Sequence, residues 1–284
     1  MSDITVTFKN QPILTMDANG SKPLLTRGKY CEDDITIAYV KPSGGSGVTF
    51  DEMATGTYSG DVVLTVDRIK EQAFSRSGIT SVSSQSVAQV GANAFVDCHQ
   101  LVSANFSGLI NLSGSLVGSQ MFFNCKRMTS IGFPELIWVA DSMFRACTAI
   151  VYGIFPKAEH IHQNSLLGCI SLQAVDVGAK ATGALTAANN LIHGSSAFSG
   201  CTVLNKLIIR QTNRIMALNN INAFNNTPFA DGKAGGTLYV PQALIASYEA
   251  ATNWSTILGY ANNSIAAIEG SIYENAYADG TPIT

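Results

Sequence analysis

Apolar side chains recur along the middle of this chain with a period longer than that of a helix turn or a single strand. A phenylalanine precedes a cysteine by three positions at Phe95/Cys98, Phe122/Cys125, Phe144/Cys147 and Phe198/Cys201, and Leu166/Cys169 fits the same frame with leucine for the aromatic. Upstream, Phe74 has Ser77 in the cysteine slot; downstream, Phe224 has Thr227 there. Successive spacings of the phenylalanine slot are 21, 27, 22, 22, 32 and 26 residues, so the base unit is about 22 with insertions.

The positions after each cysteine follow the same rule. Three residues on, the side chain is apolar every time: Leu101, Met128, Ile150, Leu172 and Leu204. Six and eight on stand Ala104/Phe106, Ile131/Phe133, Gly153/Phe155, Val175/Val177 and Leu207/Ile209. That pair has the period of a strand with one face inward, and Pro134, Pro156 or Gly178 then ends it. The first unit keeps the pattern shifted by one residue, through Ile79, Val82, Val87 and Val90. One such unit cannot bury its own apolar face; stacked neighbours do so jointly. The predicted interior therefore contains Phe74, Phe95, Cys98, Phe122, Cys125, Phe144, Cys147, Leu166, Cys169, Phe198, Cys201 and Phe224.

The pattern A-F-x-x-C-x-x-L-x-x-I-x-[FV]-P, over residues 67–241, resembles the BspA-like (treponemal-type) leucine-rich repeats of bacterial surface proteins and of phage and prophage proteins. The departures are Leu166 for phenylalanine, Gly153 at an inward slot and a long unit between Cys169 and Cys201, whose insertion at 178–190 is expected to bulge on one face. The resemblance implies a mainly β, leucine-rich-repeat solenoid of about seven rungs. A small β module precedes it, and a C-terminal capping helix is predicted from Pro241 to Thr252, with Leu244, Ile245 and Tyr248 on one side and Asn253 as its stop. The domain reading is 1–41 for the β module, 42–47 for a flexible linker (Pro42-Ser43-Gly44-Gly45-Ser46-Gly47), 48–260 for the solenoid with its caps and 261–284 for an edge strand or tail. Within the module, Leu24–Tyr30 and Glu32–Ile37 resemble a segment of Firmicute phage and prophage structural proteins.

Charge narrows the function. With 13% charged residues and a net charge of −3, the chain offers no basic stripe to neutralise phosphates, so nucleic acid is not an expected partner. No apolar run reaches the length of a membrane span. Met1-Ser2-Asp3-Ile4-Thr5 lacks the basic and apolar regions of a secretory signal, which fits a cytoplasmic chain, exit by another route such as a virus particle, or a trimmed start.

Catalytic signatures are missing: no Gly-x-Ser-x-Gly elbow, phosphate loop or zinc-protease helix occurs, and a non-enzyme without cofactor is expected. The cysteines lack the close pairs of a zinc site and read as structural thiols, with disulfides between neighbouring units as the alternative; Cys31 lies outside the series. His160 and His162 alternate on one strand face, either as a solvated pair or as two metal ligands awaiting a third. Glu32-Asp33-Asp34 lacks the spaced oxygens of a calcium loop and reads as a solvated turn.

For binding, the outward positions matter. Tyr152, Ile154, Ile208 and Tyr239 are too apolar for a solvated face, so they either anchor a partner or lie under an insertion or another subunit; Asp176, Lys206 and Asn105 complete the candidate surface. The leading expectation is a phage or prophage structural protein, tail- or particle-associated and located in the virion. It would contact other virion proteins or a host surface protein or glycan, and a homo-oligomer is allowed. The alternative is a bacterial cell-surface adhesin of the same repeat type, and the third reading is an enzyme with an unrecognised site.

Overall fold

The computed structural model describes residues 60–64, 68–69, 71–110, 118–178, 191–192 and 195–283, and the backbone course of 37–42. Among these residues the chain is mainly β, with parallel sheets and a few short helices.

Each sequence repeat contributes one longer strand. Gly60–Leu64, Ile79–Ser84, Ser103–Phe106 and Ser130–Gly132 are hydrogen-bonded in that order, and Tyr152–Phe155, Ala174–Val177, Lys206–Ile209, Thr237–Val240 and Ser264–Ala267 form a second such sheet. All these neighbours are parallel, because every unit returns to run in the same direction. Ile37–Pro42 pairs antiparallel with Gly60–Leu64. The strand end assigned above to the separate module, together with the first residue of its linker, is thus part of the first sheet. The rest of that module and linker, Cys31, the acidic triplet and the insertion after Gly178 lie outside the described residues.

Two-residue strands make shorter parallel sheets: Trp138–Val139, His160–Ile161, Leu191–Ile192 and Ala217–Leu218 in one, and Arg68–Ile69 with Gln89–Val90 in another. The turn around each phenylalanine forms a third ladder. Phe74 N–H donates to Ala94 O at 2.8 Å, Phe95 to Met121 O at 2.9 Å, Phe122 to Met143 O at 2.8 Å, Phe144 to Ser165 O at 2.8 Å and Phe198 to Ala223 O at 2.9 Å. Such a turn curls tightly, so the residues two before and two after the slot adopt positive φ. Asn93/Asp97 (57° and 59°), Gln120/Asn124 (51° and 63°), Ser142/Ala146 (53° and 61°) and Asn164/Gly168 (54° and 74°) are four such pairs.

Inside, the predicted phenylalanine, leucine and cysteine columns are buried. Phe74, Phe95, Phe122 and Phe144 stack nearly parallel at centroid separations of 5.2, 5.2 and 5.7 Å. Phe106 and Phe155, from the strands, and Phe133, just after one, wedge against this column at 5.7–6.4 Å. The aromatic zigzag explains Gly153, since a Cβ there would sit 3.2 Å from the Phe155 ring.

Past the last repeat, the chain makes a 3₁₀ turn at Gln242–Leu244, helix α1 at Ile245–Ala250 and helix α2 at Trp254–Leu258. The single helix expected over Pro241–Thr252 is therefore shorter, and Asn253, at φ 65°, separates it from the second. Tyr248 and Trp254 are buried and satisfy backbone groups at the outer edge of Ala217–Leu218. Met216 N–H donates to Tyr248 Oη at 2.9 Å, and Trp254 Nε1 donates to Met216 O at 2.8 Å. Asn253 Nδ2 donates to the Leu218 and Asn219 carbonyls at 2.9 Å each.

Candidate binding face of the parallel sheets

Strand alternation that sends one set of side chains inward places the other set on a common outer face. Across the first sheet, one outward column reads Asp61, Ser81, Ser103 and Ser130, and the next reads Val63, Ser83, Asn105 and Gly132. Asp61 at one end accepts from Thr80 Oγ1 at 3.1 Å and Ser81 Oγ at 2.6 Å. Asn105 is exposed, and Gly132 lies beside it, where a Cβ would fall 2.9 Å from Asn105 Cγ. This half of the face is small, polar and hydroxyl-rich.

The second sheet carries a different chemistry: Tyr152, Ala174, Lys206 and Thr237 in one column, and Ile154, Asp176, Ile208 and Tyr239 in the other. Residues 268–283 lie over this half. Ile268 and Tyr273 are buried against Ala174 and Ile208, with Tyr152, Tyr239 and Ala278 packed around them. Tyr239 and Tyr273 meet edge to face at 4.8 Å.

A buried ion pair fixes this cover. Arg210 donates Nε to Asp176 Oδ1 at 2.7 Å and Nη2 to Oδ2 at 2.8 Å. The same guanidinium donates Nη1 to Tyr273 O and Nη2 to Ala276 O, both at 2.7 Å, and stands over the Tyr277 ring at 5.8 Å. Asp176 accepts the Ala278 N–H at 3.2 Å. Burial pushes the Asp176 carboxyl above the usual carboxylate range, against the pull of Arg210.

The outward candidates thus divide. Asp176 and Ile208 are 0% exposed and cannot touch a partner while the cover is in place. Tyr152, Ile154, Lys206 and Tyr239 are half-buried, with both tyrosines packed on the covered cluster. Asn105 alone of the seven is exposed. Of the two readings of the apolar outward positions, cover by protein describes the tyrosines and Ile208, and the cover is the chain's own C-terminal segment. Sequence reading missed Arg210, Tyr273 and Tyr277. One signal was present: Arg210 occupies the slot held by Pro134, Pro156 and Gly178 in other repeats, where a long cation needs a partner.

The histidines are not a solvated pair. His160 is 3% exposed and stacks on Trp138 at 4.2 Å, with the His162 ring 5.4 Å away. Among the described residues no three His, Cys, Asp or Glu converge in a way that would hold a metal. The five described cysteines are free, buried thiols. No helix among the described residues is long and apolar enough to cross a membrane.

Residues 67–184 match the family model of the BspA type leucine rich repeat region, in six copies. The match covers the polar half of the face from Ser81 to Gly132 and the start of the covered half. A solved structure of a leucine rich cell surface protein from Faecalibacterium prausnitzii is 15% identical over 77% of this chain and 74% of that one, with a TM-score of 0.36. No curated protein matches the chain.

Proposed function

We propose that the chain is a non-enzymatic binding protein of a bacterial cell surface, whose repeats form a leucine-rich-repeat solenoid of about seven rungs closed by α1 and α2. The observation that carries this reading is the division of the outward face. Its apolar half is taken by the chain's own residues 268–283, leaving the hydroxyl-rich strip of Ser81, Ser83, Ser103, Asn105 and Ser130 for a partner. Small polar side chains on a parallel sheet let a protein or glycan approach the backbone closely and supply donors and acceptors at the strand spacing. The repeat match supports the surface-protein reading over the particle-associated one, whose motif lies outside the described residues.

The test is binding of the full chain to a panel of extracellular-matrix proteins and to a glycan array. The pair Ser103→Lys/Ser130→Lys should abolish the strongest signal, whereas Thr148→Lys, beyond the Phe144 turn and off the outward columns, should leave it intact. Equal binding by all three proteins would overturn the assignment of the face.

A further inference from the structure

The covered half of the sheet has the construction of a binding site already holding an occupant. We propose that the strip formed by Tyr152, Ala174, Asp176, Ile208, Arg210 and Tyr239 is a docking site for a tyrosine-bearing peptide turn. It is filled at rest by residues 268–283 and opens to the same segment of a second copy of the chain. This goes beyond the polar-face reading and uses the other half of the sheet.

Three observations carry it. First, every hydrogen bond of the ion pair to the cover ends on main chain: Tyr273 O, Ala276 O and the Ala278 N–H. The strip therefore reads the path of a peptide backbone, with selectivity added by the Tyr273 edge on Tyr239 and the Tyr277 face under Arg210. Second, the segment holds its own shape. Tyr277 N–H donates to Thr281 O at 2.7 Å, Gly280 N–H to Tyr277 O at 2.9 Å and Ile283 N–H to Asn275 O at 3.2 Å, and Ala276 bridges Pro282 antiparallel. A self-supporting turn arrives at a site with little ordering left to do. Third, the cover lies outside the aromatic core, and Ile272 (80% exposed), Glu274, Asn275, Asp279 and Gly280 face water. Releasing it exposes Ile208 and an Asp176–Arg210 pair that stays bidentate and gains hydration, so opening is local and leaves the repeats stacked. A segment that leaves its own strip can fill the identical strip of another copy, by exchange of an identical element.

The tethered segment outcompetes any free peptide, so the experiment weakens the tether's grip and leaves the strip intact. Full-length Tyr273→Ala/Tyr277→Ala is titrated against a fluorescently labelled synthetic peptide of residues 268–284, with circular dichroism confirming the fold. The expected result is binding at least about tenfold tighter than to the unmodified chain, and loss of about tenfold or more when Arg210→Lys is added, because lysine keeps the charge without the two-pronged contact. Equal binding by the double variant and the unmodified chain would overturn the proposal, as would binding indifferent to Arg210→Lys. Unfolding of the double variant would also overturn it, by making the segment an integral part of the fold.

Discussion

The thiol of Cys147 donates to the carbonyl oxygen of Phe122 at 3.0 Å, in the preceding repeat. Cys98, Cys125, Cys169 and Cys201 do the same to Phe74, Phe95, Phe144 and Leu166 at 2.9–3.1 Å. Cysteine in this column is therefore more than a small apolar filler, since its thiol adds a second donor, from the next repeat, to a buried carbonyl that already accepts an N–H of its own turn, as Phe122 O does from Cys125 at 3.1 Å. Cys147→Ala should cost about 0.5–1.5 kcal/mol, the net worth of one hydrogen bond whose acceptor keeps another donor. Cys147→Ser, which keeps a donor on the same Cβ, should recover part of that loss. Urea titration of both variants decides, and an alanine variant as stable as the parent would contradict the role.

These thiols also set a limit in alkali. Burial pushes Cys147 up to about 12 and raises Cys125 and Cys169 as well. A group whose folded pKa is raised adds stability that is complete below its unfolded pKa of about 8.5 and disappears as pH climbs through the folded value. Stability should fall between about pH 8.5 and 12, and Cys147→Ser should flatten that fall. Thiol-reactive probes at pH 7.5 should label none of the five buried cysteines until the chain unfolds; rapid labelling of the native protein would place the column in water.

Ala146 sits at φ 61° in the slot where Gly168 and Gly200 stand at 74° and 75°. A left-handed alanine costs about 1–2 kcal/mol that glycine does not bear, offset in part by glycine's freedom in the unfolded chain. Ala146→Gly should raise stability by about 0.5–1 kcal/mol and Gly200→Ala should lower it by a similar amount. Thermal melts showing the opposite signs would refute this turn geometry.

The interior was legible in the sequence because its determinants are local and repeated: Phe144 and Cys147 recur about every 22 residues, and only an inward column imposes such monotony. The turn signal was also present, as Asn93, Asp97, Asn124, Gly168 and Gly200 fall at two fixed offsets from the phenylalanine slot, but only the backbone angles give it meaning. The outer face was not legible. Whether Ile208 meets a partner or a cover depends on Tyr273, 65 positions away, and no periodicity reports that contact. His160 is the same case: alternation puts it outward, while stacking on Trp138 and burial follow from tertiary neighbours.

Phe144→Ala and Asn105→Ala separate the two sides of the sheet. Phe144 contacts Phe122, Phe133 and Phe155, and its truncation should cost about 3–5 kcal/mol. Asn105 is exposed, and its truncation should cost under about 0.5 kcal/mol. Similar small values from chemical denaturation would contradict the inward assignment of the column.

The Asp176–Arg210 pair makes the last prediction, because its two halves are not equivalent to their sum. Asp176→Asn leaves the guanidinium buried at one carboxylate fewer, and Arg210→Met leaves a desolvated carboxylate facing the Ala278 N–H; each should cost about 3–5 kcal/mol. Asp176→Leu/Arg210→Met replaces both charges by apolar groups in a strip already lined by Ile208, Ala174 and Tyr273, and should cost clearly less than the two single changes added. Hydrogen exchange gives the complementary reading. Without Arg210 the carbonyls of Tyr273 and Ala276 lose their donor, so amides of residues 273–281 should lose protection, while those of Phe122 and Phe144, deep in the turn ladder, should not. Additive single effects, or loss of protection spread evenly over both regions, would mean that the pair stabilises the whole stack and not the cover.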